Sequence, residues 1–270
     1  MAEVDRPGKR ARNFIASCNR VHLCFDRMIG VWLNVAGILL GGILGIFRPR
    51  AFSPANEAFF KNLLGALTVF YGLRLTWLSL NGTVGQVMRQ LVIMVISLML
   101  GRMIGKLLRL QKLSNRIGQA ARETIGRAKP DDPRRVNVGF RTCAALFCAA
   151  PLAFIGSLQS GLSDYFYPLA VKGLMDGLAT VGFVGLFGWG VMLSVIPVLA
   201  LEGTIALVTM VYLKPLLESQ GLVDPTNAVG GMLVFCVALL IFGLKKIEVT
   251  TYLPSLVVAP LLTWGLKLLG

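Results

Sequence analysis

The chain has 270 residues, of which 55% are hydrophobic and only 15% charged, and its formal net charge is +14. A soluble domain of this length does not carry so little charge on so much apolar residue, and long continuous apolar runs in place of period-two alternation argue against a β-barrel. The basic excess gathers at helix ends and in one loop, where Lys and Arg set orientation and meet anionic lipid headgroups; no aromatic-plus-basic groove points to nucleic acid.

Residues 1–28 form a basic N-terminal extension without the apolar core of a cleavable signal. Phe14, Cys18, Val21, Phe25 and Met28 recur at helical spacing, which fits a short helix on the membrane surface; a solvated tail is the equal alternative. Cys18, His22 and Cys24 supply three metal-ligating side chains but no fourth, so no zinc site is read.

Eight apolar stretches follow, at about 29–47, 57–80, 86–110, 140–160, 166–187, 189–213, 226–244 and 251–269. Each approaches the roughly 20 residues that a spanning helix needs. The predicted fold is therefore all-α, a polytopic transmembrane helical bundle of about eight spans. Its parts are a first three-helix unit (29–110), a basic amphipathic cytoplasmic loop (111–136), a central two-helix insert (137–188) and a second three-helix unit (189–270). In the loop, Leu110, Leu113, Ile117, Ala121 and Ile125 mark one apolar face and Arg109, Lys112, Arg116, Arg122 and Arg127 cover the rest. The positive-inside rule makes this loop cytoplasmic and, after three spans, places the N-terminus outside despite its own basic charge.

The two units resemble one another. Residues 30–39, GVWLNVAGIL, match GVMLSVIPVL at 190–199, and NLLGALTVF at 62–70 matches NAVGGMLVF at 227–235. An odd number of spans followed by two more turns the second copy over in the membrane, the inverted repeat of many secondary transporters. Chance similarity between apolar segments is the competing explanation.

Ionisable residues inside such runs are costly, about 2.5–3.5 kcal/mol for Lys or Asp at a helix centre. Lys172 and Asp176 are four residues apart and share a helical face, so they pair, either as a functional couple or as a clamp between helices. Glu202 has no opposite charge at helical spacing and sits between Pro197 and Gly203, near the middle of its span. A lone carboxyl there holds a proton or a cation, or stays protonated on a neighbour for structural reasons alone. Gln159, beside Ser157 and Ser160, and the amides Asn62 and Asn227, at equivalent places in the repeat, complete the candidate ion- or substrate-binding set; Asn34 stands near a helix start. Glycines at Gly37, Gly41 and Gly45, at Gly101 and Gly105, and at Gly173 and Gly177 predict close helix–helix approach, within the bundle or in a homo-oligomer.

The stretches FCAAPLAFIGSLQSGL, KGLMDGLATVGF, VIPVL, NAVGGMLV and GLKKIEVTTYLPSLVVAPLL resemble the YdfK/YqgA-like bacterial integral membrane proteins, domain of unknown function 554, over nearly everything from Gly30 onward. The resemblance implies a multi-pass protein of the bacterial inner membrane and brings no catalytic or binding residues with it. The basic extension departs from the family pattern, and Glu202 stands where many relatives carry an amide.

The only histidine is His22, and HExxH, GxSxG and Walker motifs are absent, so no enzyme and no cofactor is read. The expected function is secondary transport of a small solute, coupled to H⁺ or another cation, through a mid-membrane site of Lys172, Asp176, Glu202 and Gln159 supported by Asn62 and Asn227. A channel or scaffold without a transport cycle is the alternative.

Overall fold

The computed structural model describes residues 28–47, 53–128, 133–244 and 247–269, and among them it is helical without strands. The amphipathic reading of residues 14–28 and the Cys18–Cys24 ligand set lie almost wholly outside the described residues. The helices are α1 (Ile29–Phe47), α2 (Pro54–Leu78), α3 (Val84–Leu107), α4 (Leu110–Gly126), α5 (Arg135–Ala149), α6 (Pro151–Ser163), α7 (Tyr167–Phe187), α8 (Val195–Val208), α9 (Lys214–Ser219), α10 (Val223–Phe242), α11 (Val249–Tyr252) and α12 (Ser255–Leu269).

Local sequence accounts for the boundaries. Ser53 caps α2 by accepting from the Asn56 N–H, with Pro54 behind it in the first turn. Arg109, at φ 54, breaks the path of α3 and sets α4 off as a separate amphipathic helix. The predicted span 140–160 is not one straight helix. Pro151 lacks an N–H and clashes with a continuing helix, so α5 ends at Ala149 and α6 leaves at a bend of 58°. Residues 167–219 are helical throughout, a 53-residue run. At 1.5 Å per residue, a straight rod would hold Lys172 and Glu202 about 45 Å apart. Their side chains touch, so the chain doubles back between them. The reversal begins at Gly188, at φ 74, and runs through a 3-10 segment, Gly188–Ser194. There Gly190 lies against the Val136 backbone, where a Cβ would stand 2.2 Å from the carbonyl oxygen. A π-helical turn, Thr209–Leu213, links α8 to α9 just before Pro215.

Two helix pairs organise the bundle. Parallel α1 and α7 meet along their glycines: a Cβ on Gly37 would lie 2.2 Å from the Gly173 carbonyl oxygen, and one on Gly41 would lie 2.1 Å from that of Gly177. Antiparallel α2 and α10 meet at Gly72 and Gly231 and are tied by the Thr76 hydroxyl, which donates to the Ala228 carbonyl at 3.2 Å. A third approach, Gly101 and Gly105 of α3 on Ser255 and Thr251, fixes the last helices. Small residues let backbones come this close where lipid provides no hydrophobic drive between helices. The main apolar core surrounds α10 (Val229, Leu233, Val234) and a second fills the α5–α7–α8 space (Phe147, Phe187, Val191, Val198).

These contacts give the molecule two ends. One bears α4 and the starts of α5 and α8; the other bears the α6–α7 turn at Asp164. We call them the loop face and the turn face. Large apolar side chains on α1 (Leu40, Leu44, Phe47) and α3 (Val92, Met99, Met103) point outward. Among the described residues five helical segments are long and apolar enough to cross a bilayer, six if the bent α5–α6 pair counts as one span; α2, with Glu57, Lys61 and Arg74, falls outside that group. The count differs from eight because of α2 and because the run through α7, α8 and α9 is continuous helix.

Candidate functional site

Lys172 lies on α7, one turn before Asp176, and donates to its carboxylate. The same ammonium stands 3.1 Å from Glu202 Oε1, on α8. Asn34 of α1 closes the group: its Nδ2 donates to Glu202 Oε1 at 2.8 Å and to Oε2 at 2.9 Å. Thr180 holds the local helix by donating to the Asp176 backbone carbonyl at 2.7 Å. The cluster is almost dry, with Asn34 and Glu202 at 0%, Lys172 at 2% and Asp176 at 8% exposure. Thiols of α5, Cys143 and Cys148, stand within the electrostatic reach of these charges.

Each member arrives by a different device. The i, i+4 spacing aligns Lys172 with Asp176. The reversal at Gly188 brings Glu202 back to the level of Lys172. Asn34 reaches it because the α1 glycines bring α1 into backbone contact with α7, and Asn34 sits one turn before Gly37 on that face. Asn34 was not in the predicted set, yet the glycine stripe that follows it marks the face it shares.

The charge count is the chemically important feature. One ammonium serves two carboxylates, so with all three ionised the cluster carries a net charge of −1 in a dry setting. Burying an uncompensated charge is strongly unfavourable. A proton or monovalent cation brings the group to neutrality. The unpartnered Oδ1 of Asn34 lets the same amide face either state of Glu202: Nδ2 donates to the carboxylate, and the amide turned about its Cβ–Cγ axis accepts from the carboxylic acid.

The other predicted residues lie elsewhere. Gln159 turns to α10, where a Cβ on Gly230 would stand 2.0 Å from its Nε2. Asn227 is one turn along the same α6–α10 seam and accepts from Ser163 at a long 3.4 Å. Asn62 is exposed near the start of α2. A polar cavity of about 380 Å³ opens on the turn face among Asn81, Gln86, Arg89, Asp224 and Lys267, with Met94 and Ala228 at its floor. Among the described residues, no group of three His, Cys, Asp or Glu side chains is arranged to hold a metal ion.

A helical bundle with outward apolar faces and a buried charge cluster defines a multi-pass membrane protein in contact with the lipid bilayer. The chain belongs to the family described as "Protein of unknown function (DUF554)", whose model matches residues 29–264. It is 23% identical over 248 residues to "Uncharacterized membrane protein YdfK" of Bacillus subtilis (strain 168), covering 90% of this chain and 99% of that protein. It is 26% identical over 234 residues to "Uncharacterized protein YqgA" of Escherichia coli (strain K12), covering 86% and 94% respectively. No solved structure matches.

Proposed function

We propose that the protein is a secondary transporter of the bacterial inner membrane, not an enzyme, and that Glu202 carries the coupling proton or cation for movement of a small solute. The observation that carries this reading is the sharing of one buried ammonium by two carboxylates. A purely structural pair needs no second acid, whereas a coupling site needs an acid whose neutral and charged states are both accommodated.

The wider architecture supports it. In this reading eight helical passes cross the membrane: α1, α2, α3, the broken α5–α6 pair, α7, α8 with α9, α10, and α11 with α12. The second three-helix unit runs opposite to the first, as an inverted repeat requires. Phe70 and Phe235, equivalent in the sequence match, fall near the centre of the α2–α10 crossing. Lys106, Arg109, Lys112, Arg116, Arg122, Arg127, Arg134 and Arg135 all lie toward the loop face, which makes that face cytoplasmic and able to meet anionic headgroups. The polar turn-face cavity is a candidate entry for the solute.

The test is a proteoliposome with a trapped pH dye, challenged with imposed Na⁺, K⁺ and amino-acid gradients. The reading expects gradient-driven pH change in the wild type and its loss in Glu202→Gln with folding intact. Wild-type flux that survives both Glu202→Gln and Asp176→Asn would refute it. A scaffold is the second reading, favoured by how completely the cluster is enclosed. It expects Lys172→Ala with Asp176→Ala to recover stability lost by either change alone, with no flux in any variant.

A further inference from the structure

Buried hydroxyls in membrane helices ordinarily satisfy themselves on the carbonyl one turn back. Thr68, Thr76, Ser79, Ser97, Thr180 and Thr226 all do so here. Ser157 and Ser160 of α6 do not. Both are at 0% exposure, and neither hydroxyl has a partner among the described residues. Between them Gln159, also at 0%, leaves both Oε1 and Nε2 unpaired. Four orphaned polar atoms thus fall within one turn of one helix. Leaving buried polar groups unmet is unfavourable; at about 3.6 residues per turn Ser157 and Ser160 share the side of α6 toward α7 and α8, while Gln159 faces α10.

Packing fixes that direction. α6 and α8 run parallel, since the chain reverses at Asp164 and again at Gly188. A Cβ on Gly161 would lie 2.4 Å from the Ala206 carbonyl oxygen. Ser157 is one turn before Gly161, and Glu202 is one turn before Ala206, so Ser157 stands level with the carboxylate. From there Ser160 and Ser163 climb α6 toward the turn face, where Lys214 pairs with Asp164 at 3.3 Å. Toward the loop face the cluster meets the apolar plug of Phe147, Val184, Phe187, Val191 and Val198, beside which the buried Ser194 hydroxyl also lacks a partner among the described residues.

We propose that Ser157 and Ser160 line a water-filled path by which protons reach Glu202 from the turn face. Water fits this lining: the site offers two hydroxyls, each able to donate and to accept, with no fixed charge of its own. The charged groups around its inner end are Lys172, Asp176 and Glu202, with the thiols Cys143 and Cys148. The inference rests on the reading of Glu202 as the coupling carboxylate and names its route of access.

The experiment is thiol accessibility in vesicles of known orientation, with the five native cysteines replaced. Ser160→Cys should react with a membrane-impermeant cationic thiol reagent from the turn face about tenfold or more faster than Val198→Cys in the plug, because only a wetted thiol ionises and reacts. Reaction from the loop face, or at the rate of Val198→Cys, overturns the path. Should the cysteine variants fail to fold, water-radical footprinting of the wild type replaces them. Oxidation at Leu169, which packs on Gly156 beside Ser157, with Phe147 and Phe187 spared supports the path; the reverse pattern, or an equal extent at both, overturns it. Loss of flux in Glu202→Gln with a silent Ser160→Cys leaves the coupling reading standing and removes the path. Labelling at Ser160→Cys with flux intact in Glu202→Gln does the opposite.

Discussion

The charge cluster and the serine–glutamine turn of α6 are both buried, and they are satisfied in opposite ways. In the cluster, Lys172, Asp176, Glu202 and the Asn34 amide hydrogens answer one another directly, and only Asn34 Oδ1 is left over. On α6, Ser157, Gln159 and Ser160 find no partner among the described residues. Full charges inside a low-dielectric bundle demand fixed partners, because an uncompensated ion costs far more than an orphaned hydroxyl. Neutral polar groups tolerate exchangeable ones. A rigid charged group beside a neutral polar lining is the division of labour that a coupling site with an aqueous route calls for.

Several substitutions probe that contrast. The largest effect is expected at Lys172→Met, which leaves two carboxylates without their cation; breaking a buried pair in this way removes about 3–5 kcal/mol. The expected readout is a collapse of the melting temperature in detergent, and adding Asp176→Asn should return part of it. Second is Gly41→Val, whose side chain meets the Gly177 carbonyl. It forces α1 off α7 at the upper end of the about 1–3 kcal/mol of overpacking, and crosslinking between Asn34→Cys and Glu202→Cys should fall with it. Gln159→Leu has the opposite sign. Removing two unmet polar atoms at similar volume should raise stability by about 1 kcal/mol; a melting temperature that drops instead would mean that the amide has protein partners. Asn62→Ala, on an exposed turn of α2, should change stability by less than about 0.5 kcal/mol.

How much of this was legible depends on the distance over which each relation acts. Lys172 and Asp176 pair through four residues of one helix, and helical spacing alone declares it. Glu202 meets Lys172 only because Gly188 reverses the chain, and a local pattern does not say how two helices face after a turn. Asn34 is the instructive omission: its glycine stripe was visible as a packing signal, yet its partner lay 168 residues away on α8. Gln159 and Asn227 lie on helices, but their azimuth on α6 and α10 turns them toward each other's seam and away from the charges. The break at Ala150–Pro151 was written in the proline itself, though the apolar run across it masked the bend. The helical membrane class was legible throughout, because composition and run length act without reference to partners.

The glycine seams have a mechanical consequence. Where two helices touch backbone to backbone there are no side chains between them to change rotamer, so the pair has one arrangement and travels as a unit. Asn34, Lys172 and Asp176 ride on such a unit, and Glu202 sits on its neighbour. Within the cluster, any rocking between them stretches only the contacts that reach Glu202, so one carboxylate would serve as the latch between two stiff levers.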